Sequence, residues 1–198
     1  DYAAHCVSEN LGLMYLGAVL QEAGHQVQIV STGLHEDRSL DPATVVDCDW
    51  IGLTSTSALF PNARQLLTQI RLLAPNVPVV IGGAHASVAT QDVLLAGFDI
   101  AFIGESERTV IEYCERLAAG CPEQTLGTAT LVEGKVHKTA AQPLIEPLDA
   151  LPHPARDLYD YDAFRERGGW EFGMMSSRGC PFRCTFCQPT LDMIFGRM

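Results

Sequence analysis

An open, doubly wound α/β sheet, followed by the beginning of a second domain, is the fold class this 198-residue chain predicts. Three observations carry it. Helix-like and strand-like stretches alternate at short intervals from Leu11 to Ala118, the pattern of a parallel sheet covered by helices. Val77 to Ile81 is a near-continuous apolar run of the kind found in a parallel strand buried on both faces. Three closely spaced cysteines, Cys180, Cys184 and Cys187, follow a further short apolar run, Trp170 to Met175, beyond the alternating region.

Asp1 to Asn10 shows no periodicity and reads as a loop. Leu11, Met14, Tyr15, Ala18 and Val19 share one helical stripe, so Leu11 to Ala23 is expected to be a helix capped by Gly24. Val27 to Val30 is expected as a strand, Pro42 to Val46 as a short helix and Trp50 to Thr54 as the next strand. Asn62 to Leu73 then reads as helix, Val77 to Ile81 as strand, Ser87 to Leu95 as helix, Ile100 to Ile103 as strand and Glu107 to Ala118 as helix. Leu126 to Val132 and Lys135 to Thr139, joined at Glu133-Gly134, read as a hairpin. Pro143, Pro147, Pro152 and Pro154 mark Ala140 to Arg156 as an extended linker. The expected organisation is an α/β domain over 1–125, a hairpin and linker over 126–169, and the start of a second domain over 170–198. Such sheets usually open with a central strand, whereas this sequence opens with a helix. The expectation is therefore a piece of a longer protein, lacking its first strand and the rest of its second domain.

The sequence is 47% hydrophobic and 19% charged, with a formal net charge of -11. Phosphate backbones are bound by clustered Lys and Arg, so a nucleic-acid groove is not expected. No apolar run approaches a membrane span, and the first residues lack a signal peptide's charged start and apolar core, which makes a cytoplasmic protein the expectation. In that compartment thiols stay reduced and cysteine clusters serve metals before disulfides. Cys6, Cys48, Cys114 and Cys121 are scattered and read as small buried or surface residues.

Cys180, Cys184 and Cys187 stand in a C-x-x-x-C-x-x-C spacing, with Gly179 and Pro181 suited to a tight loop. Three thiolates this close can hold three corners of a cubic iron-sulfur cluster and leave one iron open, which suits catalysis better than electron storage. A zinc knuckle with a distant fourth ligand and a ferredoxin-like loop are the other readings of the same residues.

The stretch Ser176-Ser177-Arg178-Gly179-Cys180-Pro181-Phe182-Arg183-Cys184-Thr185-Phe186-Cys187 resembles the cluster loop of the radical SAM enzymes. The resemblance implies that Cys180, Cys184 and Cys187 ligate a [4Fe-4S] cluster whose open iron is chelated by S-adenosylmethionine, with the Phe186 backbone beside the adenine. It also implies reductive cleavage to a 5'-deoxyadenosyl radical, an electron donor of the flavodoxin or ferredoxin type, a small-molecule substrate, and the start of a partial (β/α) barrel.

In the α/β region, three strand ends carry loops with ligand-binding chemistry, and ligands in open α/β sheets sit outside the carboxyl ends of the strands. They are Thr54-Ser55-Thr56-Ser57, a run of hydroxyls; Gly82-Gly83-Ala84-His85, where two glycines permit close approach to the backbone; and Gly104-Glu105-Ser106-Glu107, at a helix start. Taken singly, each has a plain structural reading as a helix cap or turn. Their common edge is what favours a binding rim.

These loops, with Leu11-Gly12-Leu13-Met14-Tyr15-Leu16, Gly24-His25, Ile51-Gly52-Leu53-Thr54, Val80-Ile81-Gly82-Gly83-Ala84-His85 and Leu148 to Arg156, resemble the Rossmann-like cobalamin-binding domain that precedes the radical SAM domain in one branch of that superfamily. The resemblance implies that Thr54, Ser55, Gly82, Gly83, His85, Gly104, Glu105, Ser106 and Glu107 line the site of the corrin and its nucleotide tail. The D-x-H-x-x-G motif of other cobalamin domains is missing, since Asp1 and His5 stand at the wrong separation. A base-off cobalamin without a protein histidine on cobalt follows, with His85 at the corrin edge. The branch implies methyl transfer to an unactivated carbon, or ring formation of the porphyrin-ester cyclase kind. A corrinoid-binding or electron-transfer module without catalysis is the reading from another class. No GxGxxG loop supports a nicotinamide enzyme.

Overall fold

The computed structural model describes residues 9–34, 40–169, 172–179 and 182. In chain order the elements are α1 (Leu11–Glu22), β1 (Ile51–Thr54), α2 (Phe60–Leu73), β2 (Val79–Gly82), α3 (Gly83–Val88), α4 (Thr90–Leu95), β3 (Ile100–Phe102), α5 (Glu107–Ala118), β4 (Thr128–Val132), β5 (Lys135–Lys138) and α6 (Tyr161–Glu166), with short 3-10 turns between them. The chain divides into two compact units, one drawn from Asp1–Asp41 and Pro147–Arg178, the other built on Pro42–Glu146.

The second unit holds a five-stranded sheet of order β1-β2-β3-β4-β5. The first two pairings are parallel, with Ile51 opposite Val79 and Val80 opposite Ile100. The expected α/β class stands, but the sheet is mixed. The hairpin β4-β5 continues it, β4 running antiparallel to β3 with Ala101 opposite Ala129. Glu133 (φ 50°) and Gly134 (φ 76°) make the turn, both left-handed as a two-residue hairpin connection requires. Val79, Val80 and Ile81 are buried, as the apolar run predicts for a central parallel strand. They pack in a core to which the helices contribute Leu67, Ile70, Val93, Val110 and Tyr113.

At the amino ends of β2 and β3, the Asp99 carboxylate accepts from the Val79 amide at 2.6 Å and from Arg71 at 2.7 Å. Arg71 also donates to the carbonyls of Val77 and Gly97, tying α2 to both strands.

In the other unit, Asn10 caps α1 by accepting from the Leu13 amide at 3.1 Å. Met14 of α1 forms a small core with Leu34, Tyr159 and Phe164, against which Leu11, Ile29, Tyr161 and Ala163 pack. Gly17 lets the 155–158 segment lie close, since a Cβ there would fall 2.9 Å from Leu158 Cδ1. The Ala155 amide donates to the Met14 carbonyl at 3.0 Å.

Several expected elements differ. Val27–Val30 joins no ladder among the described residues; Ile29 is held instead by side-chain packing on the small core. Pro42–Val46 is a single 3-10 turn, Pro42–Thr44. The expected helix Ser87–Leu95 is two short helices, α3 and α4, parted at Ala89, whose φ of -121° is not helical. Gly83-Ala84-His85 is therefore helix, not loop. Of the expected strand Trp170–Met175, Phe172 to Met175 carry no strand pairing, and Trp170 and Glu171 lie outside the described residues.

Candidate functional site

The carboxyl ends of β1, β2 and β3 are joined by a continuous run of hydrogen bonds. The Ser55 amide, just past β1, donates to the Gly82 carbonyl at 3.3 Å. The His85 amide returns to the Ser55 carbonyl at 3.1 Å. From α3, Ser87 Oγ donates to the Gly83 carbonyl at 3.1 Å and accepts from the Gly104 amide at 3.0 Å, bridging the ends of β2 and β3. Three loops distant in sequence thus form one frame, in which Ser55 and Ser87 are buried.

Gly83 is the tightest point. Its φ is +88°, and a Cβ there would lie 2.6 Å from Thr54 Oγ1 and 3.0 Å from the Ser55 carbonyl oxygen. Only glycine allows β1 and β2 to end this close and α3 to begin at once.

His85 is buried, with Nδ1 3.0 Å from Ser57 Oγ and its ring 4.2 Å from that of Phe60. Its Nε2 is enclosed and has no hydrogen-bond partner among the described residues. A buried polar nitrogen without a partner is costly and commonly marks a ligand or water position.

The third loop differs from its plain structural reading. Ser106 precedes α5 but makes no side-chain cap; its Oγ donates weakly to the Gly104 carbonyl at 3.4 Å. Glu105 accepts from the Ile145 amide at 3.1 Å, holding down the chain after the hairpin. Glu107 is buried in the first turn of α5, where a carboxylate complements the helix dipole.

The structure therefore brings Thr54, Ser55, Gly82, Gly83, His85 and Gly104 together, with Glu105, Ser106 and Glu107 flanking them. Ser57 and Ser87, which the structure adds to this frame through their hydrogen bonds, are not singled out by the sequence. Ser57 was legible only as part of a hydroxyl run, and Ser87 looks like any helix serine bonded to the carbonyl four residues back.

Cys180, Cys184, Cys187 and Phe186 lie outside the described residues, as do Asp1, His5 and Cys6. Among the described residues, no group of His, Cys, Asp and Glu is placed to hold a metal. Cys48, Cys114 and Cys121 are free. Burial pushes the thiols of Cys48 and Cys114 above the ordinary range, with nearby acidic residues adding to it, so both are poor nucleophiles. No described helix is long and apolar enough to cross a membrane.

Comparison with known proteins assigns this geometry a family. A model described as the B12 binding domain matches residues 4–113. An uncharacterized methyltransferase, PH0819, of Pyrococcus horikoshii is 34% identical over 195 residues, covering 94% of this chain and 41% of its own length. The anaerobic magnesium-protoporphyrin IX monomethyl ester cyclase of Synechocystis sp. is 27% identical, covering 89% of this chain and 37% of its own. The chain thus spans about two-fifths of the length of these curated relatives. Among solved structures, the cobalamin-dependent S-adenosylmethionine radical enzyme OxsB with aqua-cobalamin bound superimposes with a TM-score of 0.64 at 16% identity, over 81% of this chain and 23% of that one.

Proposed function

We propose, from the premise that the chain belongs to the B12-binding domain family, that the carboxyl edge of its sheet holds a cobalamin within a cobalamin-dependent radical SAM enzyme. The observation that carries the reading is the frame formed by Ser55, Gly82, Gly83, Ser87 and Gly104 across three strand ends. That frame fits a large, amide-fringed ligand. Its backbone approaches are closed by glycine, its donors and acceptors are mostly neutral, and it encloses an unpartnered nitrogen, His85 Nε2. Thr54, Ser55, Gly82, Gly83, His85 and Gly104 would hold the corrin and its tail, with Glu105, Ser106 and Glu107 at the rim. No histidine on cobalt is invoked.

On the same reading, residues 1–125 form the corrinoid domain, 126–169 the hairpin and linker, and 170–198 the start of the radical SAM domain. Cys180, Cys184 and Cys187 would ligate a [4Fe-4S] cluster, and the Phe186 backbone would contact S-adenosylmethionine. Together the bound cofactors supply reductive cleavage of S-adenosylmethionine and methyl transfer, while the protein supplies placement and electrostatics. A flavodoxin- or ferredoxin-type donor in the cytoplasm would deliver the electron. The methyltransferase relative favours methyl transfer to an unactivated carbon of a small molecule; the cyclase relative supports ring closure as the second reading.

The test is anaerobic reconstitution of the full-length protein with iron, sulfide and hydroxocobalamin, followed by metal analysis, spectra and an assay for 5'-deoxyadenosine. Bound corrin, about four irons per chain and deoxyadenosine release support the proposal. Zinc in place of iron, or a cluster without deoxyadenosine, overturns its enzymatic part and leaves a binding module.

A further inference from the structure

Glu9 lies in the stretch the sequence offers only as a loop, yet its side chain is 2% exposed. Its carboxylate accepts from Arg156 Nη1 at 2.9 and 3.0 Å, from the Tyr161 hydroxyl at 2.5 Å and from the Gly173 amide at 2.6 Å. Arg156 closes the ring, donating to the Tyr161 oxygen at 2.8 Å and to the Gly173 carbonyl at 2.6 Å. Both main-chain polar groups of Gly173 are thereby captured by one ion pair. Further along the same strand of chain, the Arg178 guanidinium lies 5.7 Å from the centre of the Tyr15 ring on α1.

These contacts do what apolar burial does not. Phe172 and Met174 remain 62% and 91% exposed; the Phe172 ring adds only contacts to the clasp itself, 5.5 Å from the Tyr161 ring and 5.9 Å from the Arg156 guanidinium, and no apolar burial holds the segment. A buried carboxylate is costly unless fully hydrogen-bonded, and a group satisfied this completely fixes the geometry of whatever it holds. Burial would raise the Glu9 carboxyl, but hydrogen bonds from Tyr161, Gly173 and Arg156 outweigh it and hold it below the ordinary glutamate value of 4.5, so the clasp is charged at neutral pH. What it holds, Phe172 to Arg178, is the approach to Cys180 in the sequence.

We propose that Glu9, Arg156 and Tyr15 are positioning residues for the cysteine loop: they hold Phe172 to Arg178, the segment that leads into Cys180 in the sequence, within the unit containing α1. The inference rests on the proposed cluster role of that loop. It assigns to residues within and beside the B12-binding region a task concerning the other cofactor.

The experiment compares the full-length protein with its Glu9→Gln, Tyr15→Leu and Arg156→Lys variants. In the cluster-free state under anaerobic conditions, a pulse of iodoacetamide is followed by mass spectrometry of every cysteine. Glu9→Gln and Tyr15→Leu are expected to label Cys180, Cys184 and Cys187 about tenfold faster, because charged contacts of this kind set the frequency of local opening. Cys48, Cys114 and Cys121 should label at the wild-type rate. Arg156→Lys keeps the charge but loses the fork, and should fall between. After reconstitution, iron release to a chelator should accelerate in the same order. Unchanged labelling of the three loop cysteines, or equal acceleration at Cys48, Cys114 and Cys121, overturns the proposal, the latter because it reports general destabilisation. A wild-type protein that takes up no iron overturns the cluster reading instead, while the labelling pattern still decides whether the clasp positions the loop.

Discussion

Replacing Gly83 by alanine tests whether the frame at the sheet edge depends on close backbone approach. The new Cβ would meet Thr54 Oγ1 at 2.6 Å, the Ser55 carbonyl oxygen at 3.0 Å and the Ser55 nitrogen at 3.2 Å, at a φ of +88°. The hydroxyl can rotate away; the two backbone atoms cannot without moving the end of β1. A left-handed φ costs an alanine about 1–2 kcal/mol. Crowding a packed site adds roughly 1–3 kcal/mol. The less flexible unfolded chain returns about 0.4–1 kcal/mol. The net loss is about 1–5 kcal/mol, a fall in Tm of roughly 2–20 °C for a protein of this size. Gly134→Ala is the matched control, because Gly134 has a φ of +76° but no atom within 4 Å of the added carbon. It should lose only the conformational part, about 1 kcal/mol. Thermal unfolding followed by circular dichroism compares the two, and a corrinoid titration should weaken in Gly83→Ala alone. If both variants melt within about 2 °C of each other, the argument from close approach is wrong.

Other changes probe the rest of the sheet unit. Tyr113 is fully buried with no partner for its hydroxyl among the described residues, and burial, with smaller contributions from the charges at Asp99 and Cys114, raises its pKa from 10.0 to about 12. Below pH 10 both folded and unfolded forms keep the proton; between there and about 12 only the folded form does, so stability falls as pH rises through that window. The loss is on the order of 2–3 kcal/mol, and Tyr113→Phe should lack it while melting no lower than wild type at neutral pH. A lower neutral Tm for Tyr113→Phe would mean the hydroxyl is satisfied. Asp99→Ala leaves the Val79 amide without its acceptor and Arg71 with only the Val77 and Gly97 carbonyls, and should cost about 1–3 kcal/mol in urea unfolding, whereas Asp99→Asn, which keeps an oxygen for Val79, should cost less. Equal losses would assign the effect to charge alone. Ser87→Ala removes the bridge between Gly83 and Gly104 and should lower corrinoid affinity about tenfold, with Ser87→Thr restoring part of it. Unchanged binding by Ser87→Ala would detach the bridge from the ligand site.

What the sequence made legible was local. Glu133-Gly134 announces its hairpin because a two-residue turn needs left-handed backbone at both positions, and the structure has it. Val79 to Ile81 announces a central strand through its unbroken apolar character. Non-local pairing was not legible. Nothing in Thr128 or Ala129 specifies antiparallel pairing with Phe102 and Ala101, so the hairpin read as separate from the sheet it extends. Val27 to Val30 has strand-like residues, but a strand exists only with a ladder partner, and here Ile29 packs elsewhere. Glu9 could not be singled out at all, since its partners lie 147 to 164 residues away and no periodicity links them.

The use of charge distinguishes the frame from common nucleotide sites. The chain has 13 Lys and Arg against 24 Asp and Glu. Two of its arginines are engaged by acidic side chains away from the frame, Arg71 by the half-exposed Asp99 and Arg156 by the buried Glu9. The bonds linking the three strand ends come from main-chain groups and from the hydroxyl of Ser87, with no Lys or Arg among them. A site whose affinity came from phosphate would place a guanidinium, an ammonium or a glycine-rich helix start of useful length against it. Here the helix after Gly82-Gly83 is six residues long, and the longer α5 beyond Gly104 carries the Glu107 carboxylate in its first turn, which disfavours a phosphate there. On the proposed reading, recognition therefore comes from shape and neutral hydrogen bonds over a wide surface, the chemistry suited to a macrocycle fringed with amides. In such a site a single methyl group at Gly83 should matter more than any single charge.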